Sequence, residues 1–114
     1  MQNIPPSPAL DLNRLEAQLA ALAAAGETIS YGALARELGL RMAALTGALE
    51  ALMEADLSAA RPLRAALCRA RLGTGLPAQG FFDHAAALGL IIPDPEGFIA
   101  AERAALFAAA RQGS

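Results

Sequence analysis

The chain of 114 residues contains a single cysteine, a single histidine, no tryptophan and no lysine. One cysteine, Cys68, excludes an internal disulfide and any zinc site that needs several thiolates. The eleven acidic residues are dispersed, and no pair has the spacing of a metal site or of a glycosidase dyad. We therefore expect no metal, no cofactor and no small-molecule substrate.

Aromatic residues and long apolar runs are also scarce. One tyrosine and four phenylalanines are poorly suited to stacking on unpaired bases. No apolar run approaches the roughly 20 residues of a membrane span, and the first ten residues lack the charged and apolar regions of a signal peptide. These features predict a cytoplasmic protein with no membrane contact.

Alanine and arginine are the residue types that stand out. Hydrophobic residues make up 55% of the chain, and many of them are alanine, which favours helix. All nine basic residues are arginine, which fits the coding bias of a GC-rich genome first and phosphate chemistry second. Because the formal net charge is −2, non-specific attraction to nucleic acid is expected to be modest.

The length suits one domain, and helical patterns cover most of it. We expect residues 1–10, which are rich in proline, to form a flexible N-terminal arm and residues 11–114 to form a single domain. A leucine stripe predicts a first helix ending near Ala25, and Asp94 followed by Pro95 predicts the start of a last helix that runs to about Arg111. A short helix is expected from Phe82 to Leu88.

The segment from Ile29 to Leu52 fits the spacing of a helix-turn-helix. Ser30 is suited to cap the first of the two helices, and Gly39 to make the turn before a second helix that runs to about Ala55. The inward positions of the two helices are expected to be Leu34, Ala35, Leu38, Leu45, Ala48, Leu49 and Leu52. Such a unit most often serves nucleic-acid binding.

The segment from Ser58 to Phe82 admits two interpretations. Its alanine and arginine content favours a fourth helix, whereas the turn-rich residues 73–80 suit the tip of a β-hairpin. A winged helix has a hairpin directly after its recognition helix, so the position favours the hairpin. The predicted fold is therefore mainly α with a small β-hairpin, a winged helix-turn-helix with an additional C-terminal helix.

Candidate DNA-binding residues lie on the second helix of the unit and on the segment after it. Of the exposed leading positions of that helix, only Arg41 and Thr46 present groups suited to base edges. Four arginines then occur without an acidic residue between Leu57 and Phe82, namely Arg61, Arg64, Arg69 and Arg71. The predicted DNA-binding set is Arg41, Thr46, Arg64, Arg69 and Arg71. A solvated arginine face that keeps the protein soluble is the alternative.

The residues from Ile29 to Ala35, with Gly39 and then Leu45 to Ala48, resemble the winged-helix domain of the alkylguanine-DNA alkyltransferase family and its alkyltransferase-like relatives. That resemblance implies a winged helix that contacts DNA. A second pattern, Arg61-Pro62-Leu63 through Gly75-Leu76-Pro77 to Gly80-Phe81-Phe82, is similar to a short bacterial family without an assigned role.

The chain departs from the alkyltransferase family where that family carries its chemistry. Ala44 stands where the family has its DNA-intercalating arginine, so the resemblance does not extend to base flipping. The reactive Pro-Cys-His-Arg motif is missing whether it is aligned on Pro62 or on Cys68. A nucleophilic cysteine needs a base or a positive field, and no proton acceptor is indicated for Cys68. His84 is more simply a surface or capping residue than a catalytic one.

Two functions remain open from the sequence. The first is a non-enzymatic winged-helix protein that contacts double-stranded DNA mainly through backbone electrostatics, as a regulator or accessory factor. The second is an interaction module, a homodimer or an adaptor for a protein partner, which uses the apolar recognition helix and the last helix as interfaces. Alkyl transfer to Cys68 is the third and weakest hypothesis.

Overall fold

The computed structural model describes residues 8–113, with side chains from residue 11 onward. This part of the chain is mainly helical, as predicted. Its elements in chain order are α1 (Pro8–Ala25), β1 (Ile29–Ser30), α2 (Tyr31–Leu38), α3 (Met42–Ser58), a 3-10 helix (Arg64–Leu67), β2 (Cys68–Arg69), α4 (Gln79–Ala87) and α5 (Pro95–Gln112). In this described part, none of the helices combines the length and the apolar character needed to cross a membrane.

Helix α1 begins earlier than the sequence pattern indicated. It starts at Pro8, a residue whose fixed φ suits the first turn of a helix, so it includes the last three residues of the predicted arm. The rest of that arm, residues 1–7, lies outside the described residues. The helix ends at Ala25, as expected.

The turn between α2 and α3 forms as the sequence indicated. The Ser30 hydroxyl oxygen accepts a hydrogen bond from the Ala33 N–H at 3.2 Å and caps α2. Gly39 has φ of +67°, and the N–H of Leu40 donates to the Ala35 carbonyl at 2.9 Å. This left-handed residue ends α2 and redirects the chain into α3.

The apolar faces of these helices meet in one core. Helix α1 packs against α2, α3 and α5, and α2 packs against α3. The largest fully buried apolar side chains of the helices are Leu15, Leu19, Leu34, Leu45, Met53 and Ile99. Every inward position predicted for α2 and α3 is buried except Ala48, which is half-buried.

The predicted β-hairpin is wrong. The two strands are parallel, with Ile29 opposite Cys68 and Ser30 opposite Arg69. A parallel pair needs a long crossover connection, which α2 and α3 supply here. The alternative of a fourth α-helix over the alanine- and arginine-rich part of this segment is not borne out either, since that part forms a four-residue 3-10 helix, Arg64–Leu67, followed by β2.

The hairpin does not form because residues 63–68, here called the central segment, run through the middle of the protein. Leu63 and every residue from Ala65 to Cys68 are buried. The 3-10 helix contacts α1, α3 and α5. A surface hairpin would expose alternate residues to water, whereas consecutive burial requires neighbours on all sides.

Charged side chains hydrogen-bond the buried backbone of this central segment. Asp56 of α3 is fully buried, and its carboxylate accepts from the Arg64 N–H at 3.0 Å. Glu102 of α5 accepts from the Leu63 N–H at 3.1 Å. Arg103 of α5 donates to the carbonyls of Ala66 at 2.7 Å and Gly75 at 2.9 Å. These bonds replace those that a longer strand or helix would supply.

Residues 70–78 form a loop between β2 and α4, here called the 70–78 loop. The Ala70 N–H donates to the Leu76 carbonyl at 2.8 Å and closes the base of the loop. Gly73 and Gly75 have φ of +115° and +85°, a region that suits glycine. Further on, the Asp94 carboxylate accepts from the Gly97 N–H at 3.1 Å and caps α5 as predicted.

Candidate nucleic-acid interface

A groove of about 730 Å³ separates the starts of α2 and α3 from the 70–78 loop. We call it the arginine groove. Helix α2 contributes Tyr31 and Arg36 to its lining, α3 contributes Met42 and Thr46, and the 70–78 loop contributes Arg71 and Ala78. The arginine groove thus joins two residues of the predicted DNA-binding set, Thr46 and Arg71, which are far apart in sequence.

Tyr31 fixes the distance between two walls of the arginine groove. Its hydroxyl oxygen accepts a hydrogen bond from the Ala78 N–H at 3.0 Å. Burial raises the pKa of Tyr31 to about 12, and the hydrogen bond from Ala78 opposes that rise. The phenol therefore stays neutral at physiological pH, and its hydrogen bond links α2 to the end of the 70–78 loop.

The charge of the arginine groove is positive. Arg36 and Arg71 are exposed, and none of the described residues that line the groove is acidic. Neither guanidinium group forms an ion pair or a hydrogen bond with any other residue in the described part of the chain. Both remain available to an anionic ligand.

Arg41 and Arg69 lie next to this groove in the chain. Arg41 is the exposed N-cap residue of α3 and precedes Met42. Its side chain does not cap the helix, so the first N–H groups of α3 have no side-chain acceptor. Arg69 is half-buried and donates from Nε to the Thr28 hydroxyl at 3.3 Å, so one of its donors is already used.

Arg64 is not brought to the groove. Its guanidinium group lies 2.9 Å from a carboxylate oxygen of Asp56 and 2.9 Å from one of Glu16. Arg61 also pairs with Asp56, at 3.2 Å. The four arginines that looked like one basic cluster in the sequence are therefore divided, and two of them neutralise internal carboxylates.

The exposed face of α3 carries mostly small, uncharged residues. Ala43, Thr46 and Gly47 are exposed. The carboxylate of Glu50 lies 3.8 Å from Nδ1 of His84 on α4, on the side where α3 and α4 meet. Nε2 of the same imidazole lies 3.4 Å from Glu54, so the histidine contacts two acids of α3.

Arg36 is a candidate contact that sequence reasoning missed. The inward positions Leu34, Ala35 and Leu38 leave Arg36 on the outer face of α2, and this much could be read from the helical period. The period does not reveal that the 70–78 loop, with Arg71, lies across from it. The parallel pairing of β1 with β2 and the hydrogen bond between Tyr31 and Ala78 bring the two arginines to one groove.

Cys68 does not contribute a reactive group. The side chain is fully buried. Burial raises the pKa of the Cys68 thiol to about 12, and the nearby Arg103 opposes that rise without preventing it. The thiol is therefore neutral at physiological pH. Among residues 11–113, no cluster of histidine, cysteine and acidic side chains has the arrangement needed to hold a metal ion.

Comparisons with known proteins assign neither a family nor a function to this chain. Neither a protein-family model, nor a curated protein, nor a solved structure matches the sequence or the fold.

Proposed function

We propose that this chain is a small winged helix-turn-helix protein that binds double-stranded DNA through the phosphate backbone. Helices α2 and α3 are the helix-turn-helix unit, and the 70–78 loop takes the place of the wing. The observation that carries the proposal is the arginine groove, which has two unpaired guanidinium groups and no acidic side chain in its lining.

The chemistry of the groove suits a phosphodiester strand. Arginine donates in a fork that matches phosphate oxygens, and such charge-assisted bonds are stronger than neutral ones. The uncapped start of α3 at Arg41 adds backbone N–H groups and the positive end of a helix dipole beside the same groove. A strand of DNA in the groove would meet arginine on both sides.

The proposed binding has little sequence preference. Arg41 and Thr46 are the exposed residues at the start of α3 that can hydrogen-bond base edges. Ala43 and Gly47 allow the DNA to approach closely but have no side-chain groups that distinguish one base from another. The described part of the chain has too few exposed aromatic rings for base stacking, which favours a duplex over a single strand. A regulator or accessory factor that recognises DNA shape fits this surface best.

Removal of the two groove arginines tests the proposal. We expect Arg36→Ala combined with Arg71→Ala to weaken binding to a random-sequence duplex roughly tenfold, since each lost phosphate contact removes up to about 1 kcal/mol. The slope of log K against log salt should fall by about 0.9 for each lost contact. Fluorescence anisotropy at several salt concentrations measures both quantities.

Arg14→Ala is the matched control. Arg14 is exposed on α1 and does not line the arginine groove, so its removal changes the net charge without touching the proposed site. The proposal predicts near-wild-type affinity for this variant. Equal loss of affinity in Arg14→Ala and in the single variants Arg36→Ala and Arg71→Ala would show that only net charge matters, and would reject the groove as the binding site.

A second candidate function is self-association through the start of α3. Met42 is a large apolar side chain that is 48% exposed, and its exposed neighbour Ala43 is small. If this face is an interface, we expect Met42→Asp to convert a dimer to a monomer while the helical circular-dichroism spectrum stays unchanged. Light scattering after size exclusion measures the mass. A wild-type protein that is monomeric at all concentrations would contradict this candidate.

A further inference from the structure

The 70–78 loop presents a leucine to solvent directly beside a groove arginine. Leu72 is 84% exposed and follows Arg71. The loop is held at its base by the bond between Ala70 and Leu76, and by the bond from Arg103 to the Gly75 carbonyl. These bonds hold the loop at residues 70, 75 and 76, and Leu72 lies in the exposed part between them.

The position of the loop relative to α3 indicates what Leu72 would meet. The arginine groove has α3 on one side and the 70–78 loop on the other. In a DNA duplex each phosphodiester strand separates the major groove from the minor groove. A strand that lies in the arginine groove, with α3 in the major groove whose width of about 12 Å admits a helix, puts the loop at the adjacent minor groove.

We propose that Leu72 inserts into the minor groove of duplex DNA as an apolar wedge between neighbouring base pairs, an inference that rests on the proposed function. Leucine is one of the apolar side chains able to separate stacked base pairs from the minor-groove side. Arg71 binds the flanking phosphate, while Gly73 and Gly75 keep the far side of the loop free of bulk. The wedge selects steps that unstack easily, such as TA, and so adds a preference for DNA shape.

A protein partner is the competing occupant of this loop. Leu72 also lines an apolar groove of about 570 Å³ together with Leu76, Phe82 and Ile92. Charge favours DNA, because Arg71 adjoins Leu72 in the chain, is exposed, and forms no ion pair within the described residues. An apolar side chain beside an unpaired arginine fits a nucleic acid, which is negatively charged, better than it fits an uncharged protein surface.

The test compares wild type with Leu72→Ala and with Ile91→Ala as a matched control. Ile91 is 90% exposed and lies outside the 70–78 loop, so it controls for the loss of an exposed apolar side chain. The probe is a duplex of about 20 base pairs with 2-aminopurine at a central TA step, because the fluorescence of this base rises on unstacking. Anisotropy of an end label reports binding in the same samples.

We expect the fluorescence to rise on binding of wild type and of Ile91→Ala. Leu72→Ala should bind with the same salt slope and lose most of the rise. A normal rise with Leu72→Ala, or binding of wild type without any rise, overturns the wedge and leaves phosphate binding in place. Loss of self-association in Leu72→Ala with the rise unchanged assigns the loop to a protein contact and overturns the wedge. Absence of wild-type binding overturns the wedge and the proposed function together.

Discussion

Replacement of Asp56 by alanine is expected to destabilise the protein by about 3–5 kcal/mol, the cost typical of removing one partner of a buried ion pair. The Asp56 carboxylate is completely buried, accepts from the backbone N–H and the guanidinium group of Arg64, and forms an ion pair with Arg61. Alanine leaves the Arg64 N–H without its acceptor and removes the shared carboxylate from both arginines, of which only Arg64 keeps another partner among the described residues, Glu16. Since small domains are stable by about 5–15 kcal/mol, the variant should be close to unfolding. Urea unfolding followed by circular dichroism measures the change.

Two further variants test whether the charge of Asp56 or its hydrogen-bond acceptors stabilise the protein, one at position 56 and one as a control at position 83. Asp56→Asn keeps one acceptor oxygen but loses the charge, so its loss of stability should lie between those of wild type and Asp56→Ala. Asp83→Asn is the matched control, because Asp83 is an exposed acid whose carboxylate accepts, within the described part of the chain, from the side chain of Gln79 alone. That variant should stay within about 0.5 kcal/mol of wild type. If Asp56→Ala unfolded at the wild-type urea midpoint, the account of the central segment would be wrong.

Replacement of Arg103 by alanine is the second large effect, with an expected loss of about 3 kcal/mol. Its guanidinium group donates to the carbonyls of Ala66 and Gly75, and the Ala66 carbonyl lies in the buried central segment. Without these donors the carbonyls lose charge-assisted bonds in an apolar surrounding. The thermal unfolding midpoint, compared with that of wild type, measures the effect.

Arg103→Ala should also weaken DNA binding in whatever fraction stays folded, because Gly75 belongs to the 70–78 loop that carries Arg71. Arg103→Lys helps to separate the contributions. Lysine keeps the charge but lacks the planar fork that contacts three carbonyls, those of Ala66, Cys68 and Gly75, so it should restore only part of the stability. Full recovery with lysine would mean that charge alone matters, and would contradict the geometric account.

The helices and the α2–α3 turn could be predicted because their signals are local. The leucine period of α1, the Ser30 cap and the Gly39 turn each depend on residues within a few positions of one another. The central segment could not be predicted in that way. Its 3-10 helix and parallel strand form only because α1, α3 and α5 surround it, and propensity has no information about such contacts.

A sequence signal for that burial was nevertheless present. Asp56 continues the inward series of Leu49, Leu52 and Met53 along α3, so its helical phase places a carboxylate in the core. Arg103 stands four residues after the buried Ile99 on α5. A charged residue at an inward helical position indicates a buried partner, and that partner is the backbone and side chain of residues 63–75.

The arginine groove was only partly predictable. Thr46 and Arg71 were expected to contact DNA and do line one groove, while Arg36 was missed. Arg64 was expected beside them, yet it pairs with Glu16, which is 48 residues away in sequence. Pairings over such separations depend on the fold, so the spacing of the arginines alone cannot tell which of them stay free for a ligand.

The most direct test of the central claim is the binding of wild-type protein to a labelled random-sequence duplex, measured by fluorescence anisotropy across a series of salt concentrations. If Arg36, Arg41 and Arg71 each contact a phosphate, binding at low salt should be micromolar, and log K should fall with log salt with a slope of about −3. Absence of binding even at low salt, or binding that is independent of salt, would contradict the assignment of the arginine groove to DNA.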